Sequence, residues 1–388
     1  MSTVDVATAP PSGSGNRRRG DWRVTGHGIR TVTRLELRQR VRSTRWKVAL
    51  VVWFVVVGAI TALTTGALRS LAGSAADAPD LGPLIFGIVV FFVLFLGLLV
   101  APTLSASAIN GDRNAGTLAT LQATLLSPAE IVLGKLLAAW TAALAFLVVS
   151  VPFIVWALAA GGVAVLSLVT TLLVLAAVLL VVCAVGLGFS ALVTKTSGAA
   201  VLTYLTIGAL TVLGPVLFGL SAPLVSGQAD VRVWTVPSNW DGDTDDPSVC
   251  EWQTQRQEVW HSERTWWLLA PNPFVVVADV QPLPDDAESV ARAYEPSPLA
   301  LLQYGVRYVR TGASDEADYC TGNFTRWDHR GREIFRPDSP VAEVEPSQNP
   351  VWPWGLGFQF LLGAGAVVIA VNRLRIPTRH LPQGTRVA

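Results

Sequence analysis

Six stretches of this chain run for twenty residues or more with no charged side chain in their central part: 48–68, 81–103, 136–158, 163–193, 198–220 and 351–371. A bilayer core of about 30 Å takes roughly 20 residues of α-helix. In hydrocarbon every backbone N–H and C=O must be satisfied inside the segment, so a helix is the form open to such a stretch. A helix buried in a soluble protein is rarely apolar on every face for so long. Only 15% of the 388 residues are charged, against about a quarter in soluble domains. These features predict an all-α polytopic membrane protein with six transmembrane helices.

The basic residues orient it. Arg17, Arg18, Arg19, Arg23, Arg30, Arg34, Arg38, Arg40, Arg42, Arg45 and Lys47 precede the first span, Arg113 and Lys135 flank the loop after the second, and Lys195 sits in the loop after the fourth. Arg373, Arg375, Arg379 and Arg386 follow the sixth. With six spans these four segments share one side, which the positive-inside rule makes cytoplasmic. The large loop between the fifth and sixth spans, 221–350, falls on the other side and carries 21 acidic residues against 10 basic. The expected localisation is a cytoplasmic membrane with both termini inside and the large loop extracellular.

Cysteine usage fits that division. Cys183 lies in an apolar span and reads as a small packing residue. Cys250 and Cys320 both fall in the large loop, where an oxidising compartment permits a disulfide; two free thiols are the alternative, and the bridge is favoured. The same loop holds Trp234, Trp240, Trp252, Trp260, Trp266, Trp267 and Trp327. Such tryptophans bind a ligand or partner, or pack as core and interface residues, and the second role is the commoner. The run Asp241-Gly-Asp-Thr-Asp-Asp246 is superficially like a calcium loop, but its twelfth position is Trp252 where the bidentate Glu belongs. It reads as a solvated loop. A small external α+β insert, with TWWLLAPNPFVVVADV (265–280) as a short apolar helix pair, is expected here.

Two segments on the basic side have recognisable order. In TVTRLELRQRVRSTRWK, Thr33 and Glu36 have capping-box spacing and Val32, Leu35 and Val41 share part of a helical face. This predicts an amphipathic helix along the inner headgroups, with anionic lipid as its partner. Between the second and third spans lies INGDRNAGTLATLQATLLSPAEIVLGK, 109–135. Gly111 to Asn114 interrupt the second span with helix-breaking and capping residues. Leu118, Leu121 and Leu125 then recur at three- and four-residue spacing, a short helix with a narrow apolar stripe. Ser127, Pro128 and Glu130 start a new helix as cap, first-turn proline and capping-box acid. Lys135 is expected to snorkel at the interface. On the residues alone the short helix is either a docking surface or a stiff connector.

The stretch DRNAGTLATLQATLLSPAEIVLGK resembles the first cytoplasmic loop of type-2 ABC transporter permeases, through Asp112, Arg113, Gly116, Thr117, Leu118, Leu121, Pro128, Gly134 and Lys135. It departs at Asn114, where that family usually has Glu. RLELRQRVRS before the first span, SALVTKTSGAAVL between the fourth and fifth, and APNPFVVVAD before the sixth are weaker echoes. The resemblance implies that 109–135 contains a coupling helix, near 111–127, seated on a separate P-loop ATPase subunit. Asp112, Arg113, Gly116, Thr117, Leu118, Leu121, Leu125 and Pro128 would couple the two. It also implies a second permease half, as a homo- or heterodimer, and a basic N-terminal helix acting as an elbow. The chain then divides into a disordered cytoplasmic N-terminus (1–25), elbow and spans one to five (26–220), an extracellular domain (221–350), a sixth span (351–372) and a cytoplasmic tail (373–388).

Nothing in the chain matches Gly-x4-Gly-Lys-Ser/Thr, so ATP and magnesium are expected on the partner and no cofactor on this chain. The spans hold no ionisable residue at their centres, whereas ion-coupled transporters keep such groups at membrane depth. Their hydroxyls suit an amphipathic substrate but bond readily to their own helices, and none is assigned to a substrate site. The four histidines are scattered and no hydrolase motif occurs, which argues against an ectoenzyme. The basic residues are juxtamembrane, which argues against nucleic-acid binding. Two readings remain. One is the permease subunit of an ABC exporter for lipids, drugs or other amphipathic molecules. The other is a membrane sensor or assembly scaffold whose Trp-rich ectodomain binds a ligand or partner.

Overall fold

The computed structural model describes residues 22–72, 81–116, 126–239, 249–281, 297–321, 325–327, 333–335, 339–341 and 344–374. The chain forms two compact units, one drawn from Met1–Gly208 and Gly357–Ala388, the other from Ala209–Leu356. Among the described residues six helices are long and apolar enough to cross a membrane: Thr44–Ser70, Gly82–Asn114, Pro128–Ala159, Val165–Leu192, Thr196–Val225 and Trp352–Arg373. Each coincides with one of the six apolar stretches to within two residues or runs past it, and only Val165–Leu192 is shorter than its stretch at both ends.

The first unit opens with α1 (Gly26–Arg42), followed after a single extended residue, Ser43, by α2 (Thr44–Ala72). The cap of α1 differs from the expected one. Thr25, not Thr33, accepts from the backbone of Gly28 as N-cap. Thr33 instead donates to Ile29 O and, across to another helix, to Gly134 O at 3.1 Å. A carboxylate from elsewhere in the fold, Glu130, fixes Thr25, and no local spacing rule contains that contact.

The helix α3 (Gly82–Ser105) is extended by a turn and the short α4 (Asn110–Asn114). Residues 111–114 were expected to break the span; they are helical. The chain breaks just after them, at Gly116, whose φ of +69° is a conformation glycine adopts without a Cβ penalty. At the turn between α3 and α4, Ile109 N and Asn110 N both donate to Ser190 Oγ, at 3.0 and 3.1 Å. Ser190 belongs to α6 (Val165–Leu192), which follows α5 (Pro128–Ala159).

Small residues set the close approaches. A Cβ at Gly97 would lie 3.1 Å from Leu179, and one at Gly188 would lie 2.8 Å from the Ala366 Cβ of the last helix. Such contacts hold apolar helices together in lipid, where hydrophobic burial offers no net gain between helices. The Trp53 indole of α2 donates to Ser150 Oγ of α5 at 2.8 Å and meets Phe146 edge-on, 5.0 Å between centroids. The hydroxyls of Thr61, Thr65, Thr170, Thr203 and Thr206 donate to carbonyls of their own helices.

The fifth candidate span is not one regular helix. α7 (Thr196–Gly208) passes into a π-helical turn, Ala209–Leu213, and then α8 (Gly214–Val225). Pro215 has no N–H to reach back four residues to Thr211 O, and Asn272 Nδ2 supplies a donor there at 3.1 Å. The second unit continues with β1 (Ser226–Thr235) and β2 (Glu251–Trp260), antiparallel over ten residue pairs, and with β3 (Glu316–Asp318) parallel to β1, in the order β2-β1-β3. Cys250 and Cys320 are joined by a disulfide just before β2 and just after β3, so the bridge spans the central strand. Trp234, Val236 and Val249 pack on it.

The expected apolar helix pair is two 3₁₀ turns, Ser262–Arg264 and Trp266–Leu268, followed by one helix, α9 (Pro273–Asp279). Prolines at 271 and 273 cut the apolar run into pieces too short for two α-helices. α9 packs on α10 (Pro298–Thr311). A strand pair, β4 (Arg326–Trp327) with β5 (Glu333–Phe335), precedes α11 (Trp352–Arg373). Of the seven tryptophans in the loop, Trp234 and Trp252 face each other across β1 and β2, Trp266 lies under the Arg310 guanidinium, and Trp267 is exposed. Trp240 and the acidic run 241–246 lie outside the described residues.

Candidate functional site

The junction of α1, α4 and the start of α5 gathers the charged side chains that the sequence scatters. Pro128 takes the first position of α5 because its missing N–H costs nothing there, and Ser127 caps the helix. Glu130 completes the capping box by accepting from Ser127 N at 2.8 Å. Its other oxygen reaches α1, accepting from Thr25 N at 2.8 Å and from Thr25 Oγ1 at 2.5 Å. Ser127 Oγ donates to Arg23 O. One carboxylate therefore caps α5 and anchors the start of α1.

A second tie lies one and a half turns further along. Lys135 is 1% exposed, and its ammonium is ion-paired with Glu36 of α1 and, at 2.5 Å, with Asp112 of α4. The expected snorkelling of Lys135 is thus wrong: two carboxylates from other helices hold it inside. Burying a lone ammonium is costly, whereas a paired one is tolerated. Between the two ties the helices touch: a Cβ at Gly134 would lie 2.6 Å from Val32 Cβ, and one at Gly28 would meet the Glu130 carboxyl at 2.7 Å.

The sequence-derived coupling residues are distributed as follows. Asp112 is at the ion pair, half-buried. Arg113 and Gly116 are exposed, as is Asn114, and Pro128 is half-buried at the start of α5. Thr117, Leu118, Leu121 and Leu125 lie outside the described residues. The sequence reading missed Thr25, Glu36 and Glu130 as anchors and misplaced Lys135. One signal was available: Glu36 is the sole acid between Arg23 and Lys47.

The rest of α1 is a cationic face. Arg30, Arg34, Arg38 and Arg42 recur every four residues and are all exposed. Arg40 turns inward and donates to Leu104 O at 2.8 Å, tying α1 to the end of α3. Among the described residues no group of His, Cys, Asp and Glu is arranged to hold a metal ion.

The family model described as ABC-2 family transporter protein matches residues 30–235, from α1 to the end of β1. No curated protein matches the chain. The matched part is just over half of the chain and contains five of the six apolar helices together with the α1–α4–α5 junction, and this membrane-embedded, multi-pass protein belongs to the ABC-2 family of transporter proteins.

Proposed function

We propose that this chain is the transmembrane permease subunit of an ATP-driven ABC exporter, and that a separate P-loop ATPase docks on the segment near 111–127. The observation that carries the reading is the Glu36–Lys135–Asp112 ion pair. It joins both ends of that segment to α1, so a push delivered there reaches the second and third spans and the N-terminal helix together. A loop resting passively on lipid needs no such bracing. Asp112, Arg113, Gly116, Thr117, Leu118, Leu121, Leu125 and Pro128 form the coupling surface in this reading.

ATP and magnesium belong to the partner, since the chain has no Walker A sequence. A complete transporter contains two permease halves. The termini and the junction are cytoplasmic, and the 221–350 segment is extracellular. Basic residues on one side of the spans and a disulfide in the loop on the other support this orientation. α1 is the elbow lying on the inner headgroups. The cargo is a lipid, drug or other amphipathic molecule, a reading supported by spans whose centres carry no ionisable residue.

The test is co-purification of the full chain with a candidate P-loop ATPase subunit, comparing wild type with Leu121→Asp. Retention by wild type and release by a variant that stays folded support coupling. If no ATPase associates, or the substitution changes nothing, the sensor or scaffold reading takes its place.

A further inference from the structure

A cleft of about 850 Å³ runs along α2 and α3, with Phe146 of α5 in its wall. Its charge is one-sided. Arg40 and Arg45 stand at one end, Val52, Trp53 and Leu96 line the body, and among the described residues no Asp or Glu lines it. From Arg45 to Val56 the α2 wall extends about 16 Å at 1.5 Å per residue, the scale of an acyl chain. Among the described residues neither guanidinium is ion-paired with a carboxylate, and the Glu36 carboxylate is already paired with the Lys135 ammonium. Burial pulls the Arg40 guanidinium down from its ordinary value, with Glu36 acting against it. A cation in that position favours an incoming anion.

We infer that this cleft is a binding site for one anionic phospholipid, with its phosphate on Arg40 and Arg45 and one acyl chain along Val52, Trp53 and Leu96. Guanidinium matches phosphate geometry and makes charge-assisted hydrogen bonds to it. The acyl chain gains little by leaving bulk lipid, so the head decides the preference and the apolar wall decides the place. The site is distinct from the exposed stripe of Arg30, Arg34, Arg38 and Arg42, none of which lines this cleft. The inference rests on the chain being embedded in a membrane and not on the ATPase docking proposed above.

The test uses the full chain purified in mild detergent, offered equal amounts of phosphatidylglycerol and phosphatidylcholine with identical chains, and read by native mass spectrometry. Wild type is expected to retain the anionic lipid about thirtyfold over the zwitterionic one, the scale of two basic residues at a membrane surface. Arg45→Gln should lower that preference several-fold. Val52→Trp, which fills the cleft from an exposed position, should lower retention of both lipids. Arg34→Gln, on the stripe, should change nothing. Equal retention of the two lipids overturns the inference, as does an Arg34→Gln loss equal to that of Arg45→Gln, which would show general charge attraction. Glycerol phosphate binding as well as the lipid would also sink it, by removing any part for the acyl wall. So would a Val52→Cys chain that cross-links to a second copy while retaining no lipid. Arg45→Gln and Val52→Trp keep Arg40 and its bond to Leu104 intact, so both variants are expected to fold.

Discussion

Asp279 Oδ1 lies 2.5 Å from Arg307 Nε, and both side chains are almost wholly withdrawn from solvent. The other Asp279 oxygen accepts from Val351 N and Trp352 N, at 2.5 and 2.8 Å, where α11 begins. A helix start leaves backbone N–H groups without intrahelical partners and favours a nearby negative charge. Arg307 also donates to Ser347 O and Gln348 O, so a single ion pair holds α9, α10 and the entry to the last span together.

Arg307→Met should therefore be severe. It leaves a buried, uncompensated carboxylate, which costs about 3–5 kcal/mol. Thermal unfolding of the purified protein should show a drop of several degrees for Arg307→Met and a clearly smaller one for the double variant Arg307→Met/Asp279→Asn. Equal losses in the two would mean that the stranded charge is not what matters.

Lys135→Met should destabilise the α1–α4–α5 junction by a similar amount, because Glu36 and Asp112 are left facing each other without the ammonium. Asp112→Asn should cost less, since Asp112 is 26% exposed and water screens it. Protease sensitivity in the region before Thr44 reports the release of α1. Unchanged cleavage in Lys135→Met would show that the pair does not hold α1.

Gly134→Ala tests the helix contact itself. Alanine gains about 1 kcal/mol over glycine in a helix interior. Here its Cβ would lie 2.6 Å from Val32 Cβ and 3.2 Å from Ile29 O, and overpacking costs about 1–3 kcal/mol. The clash wins, and the melting temperature should fall. A rise would mean that α1 shifts aside without penalty.

The Cys250–Cys320 bridge closes a 70-residue separation, which in the chain-entropy picture contributes about 4 kcal/mol. Cys320→Ser, or treatment with dithiothreitol, should make residues 226–321 markedly more sensitive to protease while leaving the helices of the other unit unaffected.

Asp318 makes the same corner pH-dependent. Burial alone would raise its carboxyl, but hydrogen bonds from Ser339, from the Thr321 hydroxyl and from the backbone N–H groups of Thr321 and Cys320 outweigh that and hold it below the usual carboxylate range. A carboxyl depressed in the folded state stabilises fully above its unfolded value of about 4. That contribution disappears as pH falls through the lower folded value. Tryptophan fluorescence between pH 5 and 2 should show an acid transition in wild type that Asp318→Asn flattens.

Sequence alone determined the number of membrane helices, because about 20 residues without a charge leave few alternatives in or out of a bilayer. It determined the start of α5 as well: Ser127, Pro128 and Glu130 form a capping box whose partners lie within three residues. Local rules of this kind are written in the spacing. Tertiary structure decided the destination of every long-range polar group. Lys135 reads as a snorkelling interface lysine until Glu36 and Asp112, 99 and 23 residues away, close on it. Thr33 reads as a cap until Gly134 of α5 offers it a carbonyl. The π turn before Gly214-Pro215 and the burial of the Asp279–Arg307 pair belong to the same class. The energy of a charge or a hydroxyl depends on which partner comes within about 3 Å, and for these residues that partner comes from a different element of the fold.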